Sequence, residues 1–106
     1  MAVEQGNIAQ MQISRTTNVK NLAASIAKHI QRGKIVRMVA IGAGAINQMV
    51  KASACSLQYL APVGMEVRWK IFFTDRPIPE DAKREEIPEE HQRDTWSAIV
   101  LESYVV

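Results

Sequence analysis

Cysteine is almost missing from this sequence: Cys55 stands alone among 106 residues. One thiol excludes an internal disulfide, and with only two histidines, His29 and His91, it cannot complete a structural zinc site of four ligands. Long apolar runs are missing as well. The longest uncharged apolar stretch, Met38 to Ile46, has nine residues including two glycines, against the ~20 that a membrane-spanning helix requires. Nor does the opening Met-Ala-Val-Glu-Gln-Gly offer the basic and apolar regions of a secretory leader, so a soluble cytoplasmic protein with no membrane partner is expected. What is abundant is ordinary globular material, 47% hydrophobic and 23% charged, in a length that suits one domain.

Catalytic patterns are scarce too. Neighbouring carboxylates occur only as Glu85-Glu86 and Glu89-Glu90 in a charged segment, where they read as solubilising groups, and neither histidine has a nucleophile close to it in sequence. No enzymatic activity, metal or cofactor is expected. Charge, by contrast, is unevenly laid out. Residues 1–73 carry nine basic side chains against two acids, whereas residues 74–106 carry four against nine, and the formal total is +2. A cationic body with an anionic appendage can hold a polyanion on one side, or can simply neutralise itself.

Hydrophobic periodicity supplies the elements. Ala9 to Ile13 alternates with period two, a half-buried strand, and the polar turn Ser14 to Asn18 follows, with Thr17 or Asn18 able to cap a helix. Val19, Leu22, Ala23, Ile26, Ala27 and Ile30 then form a helical stripe ended by Gly33. Lys34 to Ile41 is a β-branched, central strand broken by Gly42-Ala43-Gly44. A second helix is expected over Ala45 to Leu60, with Ile46, Met49, Val50, Ser53, Leu57 and Leu60 turned inward. Met65, Val67, Trp69, Ile71 and Phe73 alternate with mostly basic residues in a third strand, and Thr95 to Val106 returns to strand composition.

Between these last strands, Asp75 to Asp94 holds eight acids, four bases and three prolines, and reads as an acidic loop within a single domain spanning 1–106. Pro79 to Glu86 could form a short helix inside it. The order βαβαββ, with two helices on one face of a four-stranded mixed sheet, is an α/β two-layer sandwich.

The glycines between strand and helix invite a phosphate test, because helix-start amides attract anions. A dinucleotide fingerprint would need a glycine where Asn47 stands, and no Gly-Lys-Ser or Gly-Lys-Thr follows for a P-loop. A tight, closely packed turn is the plainer reading, with an unspecific anion contact left open.

The stretch Ala40-Ile41-Gly42-Ala43-Gly44-Ala45-Ile46-Asn47-Gln48-Met49-Val50-Lys51-Ala52 resembles the signature of the stage V sporulation protein S family, small proteins of the Alba-like superfamily. Asn18-Val19 opening the first helix, Ala61-Pro62 with Gly64 before the third strand, and Phe73-Thr74-Asp75 ending that strand match in order and spacing, so the resemblance covers about Met11 to Asp75. It implies an Alba-like fold, a homodimer, association with DNA or RNA, and a role in sporulation regulation. Where Alba proteins place lysines in the first turn, only Arg15 stands here, and the connection matching their DNA-reaching hairpin carries a net −4.

Candidate contacts to a nucleic-acid backbone are Arg15 and Lys20 near the first helix, the glycine bend with Gly42 and the amides of Gly44 and Ala45, then Asn47, Gln48 and Lys51, with Arg68 and Lys70 extending the patch. Each has a plain structural alternative as solvated surface, and Asn47 a further one in bracing the bend. Trp69 and Trp96 read as core aromatics, Phe72 as a weaker candidate for base stacking, and Cys55 as a small buried residue. Two functions remain in view: a dimeric nucleic-acid-binding regulator, or a protein-interaction module using the acidic loop or a sheet edge.

Overall fold

A computed structural model describes the backbone of residues 2–77 and 95–106 and the side chains of residues 6–75 and 97–106. Seven main elements follow in order: β1 (Ala2–Gln5), β2 (Ile8–Ile13), α1 (Val19–Gln31), β3 (Ile35–Ala40), α2 (Ala43–Leu60), β4 (Val67–Pro77) and β5 (Thr95–Val105), with one 3-10 turn, Ala61–Val63, after α2. The two-layer α/β arrangement expected from the sequence is present, and its mixed sheet has one strand more than periodicity suggested. Strands lie in the order β1-β2-β3-β5-β4, with β2 and β3 parallel and every other pair antiparallel.

The added strand is β1. Gln5 pairs with Ile8 across a two-residue connection, Gly6-Asn7, and Gly6 takes φ 60°, a conformation that suits glycine. At the other edge, β4 runs three residues beyond Thr74, through Asp75, Arg76 and Pro77, pairing with Ser97, Trp96 and Thr95. Composition places these three in the acidic loop, whereas the structure pairs them in the sheet. Pro77 is tolerated because it ends an edge strand, where its missing N–H breaks no interior ladder. The rest of that loop, including the short helix expected at Pro79 to Glu86, and the side chain of Trp96 lie outside the described residues.

Helix α1 forms as its stripe dictates. Leu22, Ala23, Ile26, Ala27 and Ile30 are buried, and the Asn18 side chain accepts the Asn21 amide at 2.9 Å, one of the free donors at a helix start. At the other end Gly33, at φ 81°, donates to Ile30 O, and Lys34 donates from its amide to His29 O, closing the carbonyls of the last turn. The core between helices and sheet is built on Met11, Ile13, Ile26, Ile30, Val36, Met38, Met49, Leu60 and Leu101. Each large member contributes about 1.5–3 kcal/mol by leaving water.

Helix α2 is rotated from the expected face. Ala45, Met49, Ala52, Ser53, Ser56 and Leu60 are buried, whereas Val50 and Leu57 are 50% and 41% exposed. Small side chains face inward because α2 approaches its neighbours closely, and the larger apolar residues are left on a second stripe. The third strand shows a related departure: Val67 and Trp69 join the core, but Ile71 and Phe73, on the same face, are 67% and 77% exposed.

Candidate nucleic-acid interface

Because β2 and β3 are parallel and in register from Ile8↔Ile35 to Ile13↔Ala40, they end side by side. Each is followed by a turn and a helix, so the N-termini of α1 and α2 open at one end of the molecule. The first turn is tied by its own hydroxyls. Ser14 donates its amide to Thr17 Oγ1 at 2.9 Å, Thr17 returns its amide to Ser14 O at 3.1 Å, and Ser14 Oγ lies 3.0 Å from Thr16 Oγ1. Arg15 stands exposed on this fixed turn.

The second turn is the glycine bend. Gly42, at φ 88°, caps α2 without a side chain, and the first helical bond runs from the Ile46 amide to Gly42 O at 3.0 Å. Gly42, Ala43 and Gly44 are exposed, so the bend is open to water. Neither helix has an acidic residue in its first turn, which leaves the positive end of each helix dipole uncancelled locally.

Two contacts bind the turns together. A Cβ placed on Gly44 would lie 2.9 Å from Arg15 Cβ, so only glycine allows this approach. Gln48 Nε2 also donates to Thr17 O at 2.9 Å. Arg15, Lys20, Gly42, Gly44 and Lys51 are exposed residues of the two turns and of the helices that follow them.

Other candidates are placed differently. Ala45 is 5% exposed and its side chain belongs to the core, while its amide precedes the first helical bond, that of Ile46, and so is among the donors at the start of α2. Gln48 is half-buried and spends its donor on the first turn, a bracing role. Asn47 is exposed and donates to Gln48 Oε1 at 3.3 Å, which makes it a neighbour of that brace and not a cap of the bend. Arg68 and Lys70 are not joined to this end: they lie on the sheet face opposite the helices, in β4, where Arg68 opposes Tyr104 and Lys70 opposes Glu102. Cys55 is partly exposed.

Sequence reasoning did not find the Gly44–Arg15 contact or the Gln48 brace, since both join segments about thirty residues apart and depend on parallel strand pairing. The exposed pair Val50 and Leu57 did carry a signal, a second apolar stripe at helical spacing beside Ile46 and Ala54. Among the described residues no group of three or more potential metal ligands occurs, and no helix is long and apolar enough to cross a membrane.

Two helices on one side of a mixed sheet, with a tight glycine bend leading into the second helix, define a small α/β two-layer protein. A model of the stage V sporulation protein S family matches residues 9–87, and the chain belongs to that family. The match includes both turns described above.

Proposed function

We propose that this protein is a dimeric, non-catalytic nucleic-acid-binding regulator in sporulation, directed at the phosphate backbone of DNA or RNA. The observation that supports this reading best is the end where two helix starts open together. Exposed Arg15 and Lys20 accompany uncapped glycine amides there, with Lys51 exposed about two turns farther along α2 and no acid in either first turn. Such a surface supplies point charges and amide donors suited to phosphate oxygens, without groups set to read base edges. The sporulation role follows from the family.

Dimerisation has support of its own. Ile71 and Phe73 on edge strand β4 are 67% and 77% exposed, and Val50 and Leu57 on α2 add apolar surface on the same side of the sheet. Ile71 and Phe73, neighbours on one face of β4, make a patch that is costly in water and characteristic of an interface. The same patch favours the second reading, a protein-interaction module whose contact surface is the β4 edge. Sedimentation separates the two: self-association occupies the patch with another copy, and a monomer at high concentration leaves it for a different protein.

Filter binding of short duplex DNA and RNA across a salt series tests the main reading. Each phosphate neutralised steepens the dependence of log K on log salt by about 0.9. Replacing Arg15, Lys20 and Lys51 together by glutamine flattens it by about two to three. Absence of binding at about 50 mM salt eliminates the proposal.

A further inference from the structure

The sheet face opposite the helices carries a second set of charged and aromatic residues, remote from the two turns. Register places Gln10, Arg37, Glu102 and Lys70 in one row across β2, β3, β5 and β4. Arg37 Nε donates to Glu102 Oε2 at 2.7 Å, so the central carboxylate is already neutralised. Arg68 Nη2 lies 3.6 Å from Glu66 Oε1, but both side chains are largely exposed, and such a contact holds weakly against a competing anion. Lys70 has no carboxylate partner among the described residues. Its ammonium sits 5.5 Å from the centroid of the Phe72 ring.

Phe72 is held from the side. It packs with Ile41 against Val39, Ala98 and Val100 of the same face, which are 0%, 0% and 1% exposed, so that part of the face is covered and the exposed part is the end carrying Arg68, Lys70 and Tyr104. Tyr104, opposite Arg68, is 53% exposed on the same face. Phe72 opposes Val100, four residues along β5 from Tyr104, a separation of about 13 Å at ~3.3 Å per residue. An exposed aromatic ring, an exposed guanidinium beside it and an exposed ammonium farther along the strand form the combination that binds single strands: cations track the phosphates while a base stacks on the ring.

We propose that the exposed end of this sheet face, carrying Arg68, Lys70 and Tyr104, is a binding surface for single-stranded nucleic acid, distinct from the two-turn end. The strand runs along β4, with phosphates on Arg68 and Lys70 and an unpaired base on Tyr104. Duplex does not suit this face, because Tyr104 can stack only on an exposed base and because the paired Arg37 leaves too little free charge to hold a duplex by phosphates alone.

Fluorescence anisotropy with labelled ten-nucleotide oligouridine and oligothymidine, challenged by unlabelled duplex, tests this. At least one single strand is expected to bind. Tyr104→Ala weakens it about tenfold or more, Tyr104→Phe keeps it within about twofold, and Lys70→Gln flattens the salt dependence by about 0.7. Tyr104→Ala leaves duplex affinity unchanged while lowering single-strand affinity, whereas replacing Arg15 and Lys51 by glutamine lowers duplex affinity, which separates failure of this surface from failure of the two-turn end. Amide shifts in the unaltered protein supply a readout that needs no variant: Arg68, Lys70, Phe72 and Tyr104 move on adding oligouridine or oligothymidine. Lack of binding by both single strands, an undiminished affinity in Tyr104→Ala, or shifts confined to residues 14–18 and 42–51 overturns the proposal.

Discussion

Replacing Gly44 by alanine probes the joint between the two turns, because two effects of opposite sign meet there. Gly44 lies in the first turn of α2 and has no positive φ, so helix propensity alone favours alanine by about 0.5–1 kcal/mol. Against this, the new Cβ would lie 2.9 Å from Arg15 Cβ and 3.8 Å from Arg15 Cα. Arg15 cannot swing that atom away, since Cβ is fixed by a backbone that the Ser14–Thr17 hydrogen bonds hold in place. Overpacking of this kind costs about 1–3 kcal/mol, so the clash wins and Gly44→Ala is destabilised by about 1 kcal/mol.

A double-mutant cycle isolates the effect. In an Arg15→Gly background the obstructing Cβ is gone, and the same alanine then stabilises by about 0.5–1 kcal/mol, a coupling of about 2 kcal/mol between positions 15 and 44. Urea midpoints followed by circular dichroism measure all four proteins. For a domain of this size about 1 kcal/mol corresponds to roughly 4–8 °C in Tm, well within detection. Equal effects of the alanine in both backgrounds would refute the close approach, and with it the idea that the two turns act as one unit.

Three further outcomes are expected. Ser103 is 3% exposed and its hydroxyl accepts the Val36 amide at 2.8 Å, standing in for a ladder partner; Ser103→Ala strands that buried donor and lowers the unfolding free energy by about 1–3 kcal/mol in urea titrations. Asn18→Ala removes the α1 cap and costs about 1 kcal/mol, with Asn18→Asp retaining it, as thermal unfolding of the pair will show. Phe73→Asp, at a site 77% exposed, leaves monomer stability within about 0.5 kcal/mol but abolishes self-association in sedimentation; an unchanged dimer would place the contact elsewhere.

Periodicity found what local rules govern. The α1 stripe, its Asn18 cap and its Gly33 end are each decided within a few residues, and all are present in the structure. The β1 strand was passed over because four residues give little pattern, although Gly6-Asn7 before an alternating run is a hairpin signal. Alternation in β4 correctly put Val67, Trp69, Ile71 and Phe73 on one face, but it cannot say how far along the strand the helices reach. For α2, choosing the bulkiest stripe misjudged a helix that buries alanine and serine to pack closely. Residue types located both turns of the candidate site. Their union through Gly44 and Gln48 depends on tertiary pairing that no local window contains.

The position of β5 has a consequence for how the molecule assembles. Last of the strands in chain order, it sits between β3 and β4, so until it arrives the sheet exists as two separate fragments. Among the described residues β4 pairs with β5 alone. While the chain is being synthesised, β3 is therefore unprotected on one side until β5 is made, a state vulnerable to pairing with the wrong molecule. Damage to β5 would divide the structure through its middle, where loss of β1 would trim only a border.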